Sequence, residues 1–426
     1  MNISLKFEDI FTLQQTLRWE FKNAASEISI DSLRKIILDS FSEASQILTL
    51  SETPPFSECE IDIRLLMRGT QDSPVLAYFD MSNITVRSTK FSFKLYADVL
   101  FPLIKTSDLQ PLKSIWVHEI MHMMDYRELL ENLMIYREKL HELSSYNFTF
   151  SNNEIRKDKH VILLQLMMHF RAEGIATLVE YTLGGSKDYL TPPQLAKEQF
   201  NEIISAAISL INAIDSDARQ LVKFIEKAHP YAYQIGAGIV LLGLLKKHPE
   251  LKELNEIQRC LINKIPCNSL SSESIIQYIR SFDSFDFIKY SFDQESLYHI
   301  IWELTSNYTD HLNVNKEFFV FLKRIQKNRD CKGFIALLRN LLKEPFSLQQ
   351  IEEIQLKKLT AAIIPNEIKD NSNSLYMYLK LNPKDEVSLW ALTYVYSSRD
   401  ILDDSIDYFG YIDDLEVLKT ALLIIQ

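Results

Sequence analysis

Two histidines and a glutamate open the question of chemistry. The stretch KSIWVHEIMHMMDY, residues 113–126, holds His118, Glu119 and His122 in the arrangement H-E-x-x-H. On an α-helix, residues four apart share a face, so both imidazoles can point at one ion with Glu119 beside them. Around them Ile115, Trp116, Val117, Ile120, Met121, Met123 and Met124 are all uncharged. The pattern predicts a buried helix, in which polar rings need a partner. A catalytic zinc ion takes three protein ligands and leaves a fourth position for water. The chemistry therefore needs a third donor from elsewhere in the chain.

Position 128 is Glu128 and not histidine, which excludes a metzincin-type third ligand. Glu142 follows His122 by twenty residues, a spacing some zinc peptidases use. No Gly or Pro interrupts residues 112–145, so an unbroken helix is expected there. At 1.5 Å of rise per residue it would carry Glu142 about 30 Å away. Glu173, in HFRAEGIATLVEY, is the better candidate. It lies in the next predicted helix, which the 147–157 loop can return antiparallel to the first, and Gly174 allows close helix approach. A carboxylate in so apolar a helix is costly unless a cation pairs with it. That cation is either a metal or a basic side chain such as Arg171. Asp125 either orients a ligand imidazole or is a solvated helix carboxylate. His169, one turn before Glu173, either lines the site or is a hydrogen-bonded core histidine. His141 and His160 read as surface residues.

The elements that must position these groups come from composition and periodicity. The chain has 426 residues, 46% hydrophobic and 24% charged, which is globular and allows two or three domains. With 9 Gly and 13 Pro, large loop-rich sheets are not expected. Residues 7–50 read as two helices, the second with Leu33, Ile36, Ile37, Phe41, Ala44 and Ile47 on one stripe. After SETPPFSE the segments IDIRLLMRG, PVLAYFDM, ITVRS and FSFKLYADVLF are β-rich. Pro111 then sits near the start of a long helical pattern through Tyr146. Further helices are predicted over about 158–183, 196–228 and 229–249. Beyond residue 251 the chain reads as helical, with loops near NEIKDNSNS and NPKD. The fold expected is mostly helical α+β: residues 1–250 with a small sheet, then an all-α region over 251–426.

A net charge of −11 argues against nucleic-acid binding, which needs a basic surface. Cys59, Cys260, Cys267 and Cys331 form no C-x-x-C pair, so buried free thiols are expected. The first residues lack a basic segment followed by an apolar one. The longest apolar run, IGAGIVLLGLL over 235–245, is eleven residues, short of the about twenty that span a bilayer. A cytoplasmic protein without a membrane span is expected, although export by a dedicated secretion system would leave no trace in such features.

H-E-x-x-H followed some fifty residues later by EGIATLVEY, a Glu-Gly-x-Ala motif, resembles the gluzincin group of zinc metallopeptidases. The preceding helix and short sheet match that group's layout, and the likeness covers about residues 30–245. It implies a zincin-like N-terminal domain and a Zn²⁺ cofactor held by His118, His122 and Glu173. It also implies a peptide or protein substrate and Glu119 as general base. YQIG resembles the downstream tyrosine segment of compact gluzincins, so Tyr233 is favoured as oxyanion donor, with Tyr231 second and His229 also at hand. FSFKLYADVLF would be the edge strand that takes a peptide by β-addition. Two other readings stand beside this one. One is a catalytically inactive zincin-fold interaction protein, although such a module has no need of Glu119. The other is a zinc hydrolase of a non-peptide bond.

The end of the chain carries a second resemblance. Residues 388–426, chiefly SSRDILDDSIDYFGYIDDLEVLKTALLII, are similar to the short helical module called DUF1232. Asp400, Asp404, Gly410, Tyr411, Asp413 and Asp414 match its pattern without a gap. Ser398, Asp403 and Asp407 stand where that family has prolines. The aspartates either bind a cation or cap helices and fix turns, the latter being the usual work of Asp.

Overall fold

In the computed structural model, the first 282 residues are built on a four-stranded sheet of order β1-β2-β4-β3. The structure describes residues 1–22, 28–49, 56–67, 77–82, 84–85, 88–126, 135–145, 152–183, 190–213, 217–263, 273–293, 296–297, 300, 316–358, 364–397 and 411–426. The strands are β1 (Asn2–Phe7), β2 (Glu60–Leu66), β3 (Ala77–Asp80) and β4 (Lys90–Tyr96). β1 pairs parallel to β2 and β2 parallel to β4, while β3 runs antiparallel to β4. Alternation explains the middle strands: Ile61, Ile63 and Leu65, and Phe91, Phe93 and Leu95, are all buried. Asp62, on the opposite face of β2, serves β1. It accepts from Lys6 Nζ at 2.8 Å and Ser4 Oγ at 3.0 Å, which pins the register Ser4↔Asp62.

α1 (Ile10–Glu20) and α2 (Ile30–Ile47) occupy the predicted region. Asp9 and Ser29 cap them by accepting from the Thr12 and Ser32 N–H groups. α3 (Ala97–Thr106) leads into α4 (Gln110–Met124), which carries the H-E-x-x-H stretch. Then come α5 (Ile135–Ser145), α6 (Asn152–Thr182), α7 (Pro193–Asn212) and α8 (Ala218–Ala228). A 3-10 turn over His229–Tyr231 opens α9 (Ala232–Lys247), and α10 (Lys252–Asn263) and α11 (Glu273–Arg280) follow. An aromatic wedge holds α4 on the sheet: Phe41 of α2 meets Phe93 at 5.3 Å and Trp116 at 5.2 Å between ring centroids. α6 packs against α4, α5 and α9 and is buried over most of its length.

Asp283–Gln426 form a second unit. Its described helices are α12 (Ser284–Ser291), α13 (Lys316–Asn328), α14 (Cys331–Leu341), α15 (Leu348–Lys358), α16 (Asn366–Leu381), α17 (Glu386–Tyr396) and α18 (Ile412–Ile425). α17 and α18 pack on each other, α13 and α16 join them against α18, and α14 and α15 lie on α17. The mostly helical α+β class holds. The division, however, falls after Phe282 and not at residue 250, because α10 and α11 pack on α9 and α6.

Several expectations are corrected in detail. The helix from Pro111 ends at Met124, where Asp125 caps it and pairs with Arg171 of α6 at 3.5 Å. Asp disfavours a helix C-terminus, so a tertiary contact and a local preference agree on the stop. The helix expected over 196–228 is two, since Asp217 starts α8 by accepting from Arg219 N–H. NEIKDNSNS lies inside α16. Ile84, Thr85 and Ser88 of ITVRS are not in a strand. β4 is central, so it offers no free edge; the edges are β1 and β3. His160 is buried, whereas His141 is exposed. Cys59 and Cys260 are buried free thiols, Cys331 is exposed, and Cys267 lies outside the described residues. Two stretches, Asp158–Thr182 and Ala218–Lys247, are long and apolar enough to cross a bilayer, with 94% and 67% of their apolar windows buried in the protein itself.

In the DUF1232-like segment, Ser398, Asp400, Asp403, Asp404, Asp407 and Gly410 lie outside the described residues. Tyr411, Asp413 and Asp414 are buried around the first turn of α18. Asp413 accepts from the Tyr394 hydroxyl at 2.6 Å. A carboxylate in the first turn of a helix is favoured by the dipole, and the helix's N-cap is Tyr411, without a side-chain capping bond.

Candidate metal centre

Three elements converge on His118. α4 supplies His118 and His122 from one face, and its opposite side is anchored by Trp116 and Ile120, both fully buried. α6 crosses α4 and supplies Glu173. α9 lies on α6 and carries Tyr233. The crossing of α6 and α9 is set by two glycines. A Cβ on Gly174 would lie 2.2 Å from the backbone of Gly236, and one on Gly236 would lie 2.0 Å from the Phe170 carbonyl oxygen. No side chain fits there, so the helices meet backbone to backbone, and Tyr233 stands one turn before the contact.

The donor atoms form a small triangle. His118 Nε2 lies 3.1 Å from Glu173 Oε2, His122 Nε2 lies 3.2 Å from the same oxygen, and the two Nε2 atoms are 3.1 Å apart. Ligands at 2.0–2.2 Å around a tetrahedral ion have edges of about 3.4 Å. His118, His122 and Glu173 thus form a group that can hold a metal ion. His118 and Glu173 are buried and His122 partly so.

The protonation logic agrees with that fit. His118 Nδ1 faces Glu180 Oε2 at 3.4 Å, so a neutral ring puts its N–H there and turns the Nε2 lone pair to the triangle. This is the usual way a carboxylate orients a ligand histidine. Without a cation, the same geometry drives His118 toward the charged form. Burial opposes its charge, but Glu173 and Glu180 outweigh burial and raise its pKa well above the ordinary value. Burial likewise works against the Glu173 carboxylate, and the His122 and His118 contacts overcome it, holding its pKa well below the usual range.

Glu119 is buried beside the histidines. Its Oε2 accepts from the backbone N–H of Phe79 at 2.7 Å, which ties edge strand β3 to the motif. Burial raises its pKa, with the histidines opposing. The Tyr233 ring lies over that of His118, 5.7 Å between centroids, and is 36% exposed. The Glu173 charge and burial raise its pKa, so its hydroxyl stays protonated. Tyr231 is exposed and turned outward. Burial pushes His169 down to about 3, with Glu173 opposing, and pushes His229 down as well.

The alternatives left by the sequence resolve here. Asp125 pairs with Arg171, and Arg171 donates to the Phe282 carbonyl at 2.8 and 3.0 Å from two nitrogens. Glu173 faces the histidines. Glu142 is half-exposed and accepts from Lys139 at 2.8 Å. Sequence reasoning passed over Glu180, although its signal was present: it lies seven residues after Glu173, on the same helical face. It also passed over Phe79, whose backbone role leaves no mark on residue type. Neither protein-family models, nor curated proteins, nor solved structures match this chain.

Proposed function

We propose that the protein is a zinc-dependent metallopeptidase with a zincin-like N-terminal domain and Glu119 as general base. The observation that carries this reading is the convergence of two imidazole nitrogens and a carboxylate oxygen, with a second buried glutamate, Glu119, alongside. Two nitrogens and one oxygen with an open fourth position is a catalytic zinc set. A bound zinc ion would supply a Lewis acid that acidifies water and polarises a carbonyl.

The chain's own residues do the rest. Phe79 N–H holds Glu119 Oε2, leaving Oε1 to take a proton from the attacking water and pass it to the leaving amine. The raised pKa of Glu119 suits both transfers. Tyr233, protonated and above the His118 ring, donates to the oxygen on which charge develops. β3, an edge strand tied to Glu119, is the side on which an extended peptide would pair.

Metal content by mass spectrometry, beside hydrolysis of a peptide library, tests the reading. About one zinc per chain, lost in His122→Ala and in Glu173→Ala, is expected, with peptide cleavage in the wild type alone. A wild type that takes up no zinc would refute it and leave the interaction-protein reading. Zinc uptake with ester or amide turnover but no peptide cleavage would favour the non-peptide hydrolase.

A further inference from the structure

Two histidines outside the ligand set form a row that ends on Glu173. His169 precedes Glu173 by one turn of α6, and its Nδ1 lies 3.8 Å from Glu173 Oε1. That is the carboxylate oxygen turned away from the ligand triangle, since Oε2 faces His118 and His122. On its other side, His169 Nε2 meets His229 Nδ1 at 2.5 Å, with the rings stacked at 4.4 Å and 10°. His229 belongs to the 3-10 turn that opens α9, at the exposed end of the row.

Hydrogen-bond logic gives the row a direction. A neutral imidazole carries one N–H. Placed on Nδ1, that N–H turns its positive end to the Glu173 carboxylate. Placed on Nε2, it would turn a lone pair there instead, which a buried negative charge disfavours. With Nδ1 as donor, Nε2 accepts, and His229 supplies the proton from its own Nδ1. The row therefore donates from His229 to His169, and the His169 Nδ1 edge faces Glu173 Oε1 at 3.8 Å as a dipole-to-charge contact, longer than a hydrogen bond.

We infer that His169, held by His229, is a positioning residue that keeps Glu173 Oε1 off the metal. Glu173 would then offer a bound ion Oε2 alone, leaving room for water beside it. A carboxylate free to rotate would offer both oxygens and fill the position that a hydrolytic water needs. This inference rests on the metal-centre reading of His118, His122 and Glu173. It gives the Tyr233-bearing segment a second task, because α9 and its leading turn also brace a ligand.

The test uses the full chain and needs no substrate. Zinc affinity is measured by competition with a chromogenic chelator, and coordination by the visible absorption of the Co²⁺-substituted protein. Four-coordinate tetrahedral Co²⁺ absorbs strongly, and five-coordinate Co²⁺ weakly. His169→Phe and His229→Ala are each expected to lose about 10–100-fold in zinc affinity and to weaken the cobalt bands. The double variant should be no worse than the worse single, because both act through one row. His169→Asn, whose amide N–H can replace Nδ1–H, should restore the wild-type spectrum. If His169→Phe does not fold, His229→Ala and His169→Asn carry the same comparison. Folded variants with wild-type affinity and wild-type cobalt bands would overturn this inference alone. A wild type that binds neither metal would overturn the metal centre with it.

Discussion

Glu119 and His118 sit one residue apart and have opposite electrostatic fates. Glu119 is buried with a raised pKa, and His118 is held charged in the metal-free protein by Glu173 and Glu180. Glu119→Gln keeps the hydrogen-bond acceptor for Phe79 N–H but removes the base. Peptide hydrolysis should fall by about 10²–10⁴-fold, while zinc content stays near one per chain. Loss of zinc along with activity would mean that Glu119 acts on the metal and not on a proton. The His118–Glu173 pair also fixes a sign for pH. The stabilisation from His118 is full below its unfolded pKa and fades as pH rises through its raised folded value. That from Glu173 is full above its unfolded pKa and fades as pH falls through its lowered folded value. The metal-free fold is thus favoured between the two folded values. A metal ion must displace the His118 proton, so zinc should bind more tightly at about pH 8 than at about pH 6 and release a proton on binding. Calorimetry in buffers of different ionisation enthalpy reads this release directly. Affinity independent of pH would remove His118 from the ligand set.

At the scale of elements, α4 and α6 were legible and their neighbours less so. His118 and His122 share a face by spacing alone. Glu173 stood out as a charge in an apolar helix beside a glycine, and that glycine does mark a close crossing. What spacing cannot show is which element arrives on the other side. β1 was missed because only Leu5 of its residues is buried, and its partner, Asp62, lies more than fifty residues away. The central place of β4 is not legible in its sequence, because alternation reports two faces and says nothing of what pairs laterally. The end of α4 escaped because no Gly or Pro marks it; Asp125 stops the helix beside a side chain from α6. The row from His229 to His169 escaped for the same reason, being made by the packing of α9 on α6. Gly174→Ala tests that packing. The added methyl meets backbone and not a movable side chain, so the helices must part. Overpacking of this kind costs about 1–3 kcal/mol. Urea unfolding should show the loss, and zinc affinity should drop because Tyr233, His229 and Glu173 shift together. An unchanged midpoint would mean that α6 and α9 are not in backbone contact.

For the whole molecule the expected consequence is that metal binding does not need the C-terminal helices. Each residue assigned to the centre, from Phe79 to Tyr233, lies within Met1–Phe282. The end of that unit is fastened from inside: Arg171, itself buried, donates two hydrogen bonds to the Phe282 carbonyl. A chain cut at residue 250, where composition alone suggested a border, would lose α10, α11 and that acceptor. It would remove the Phe282 acceptor of a buried guanidinium on the very helix that carries Glu173, leaving the Asp125 pairing alone, and losing a hydrogen bond to a charged group costs about 1.5–3 kcal/mol. A chain cut at about residue 285 keeps the acceptor. The longer fragment is therefore expected to unfold cooperatively and to bind one zinc with the affinity of the full chain. The shorter one should unfold at markedly lower urea or aggregate. Zinc uptake and urea midpoints of the two fragments decide the matter. Equal stability would mean that α10 and α11 are ornamental to the first unit, whereas loss of zinc from the longer fragment would mean that residues beyond Phe282 help build the centre.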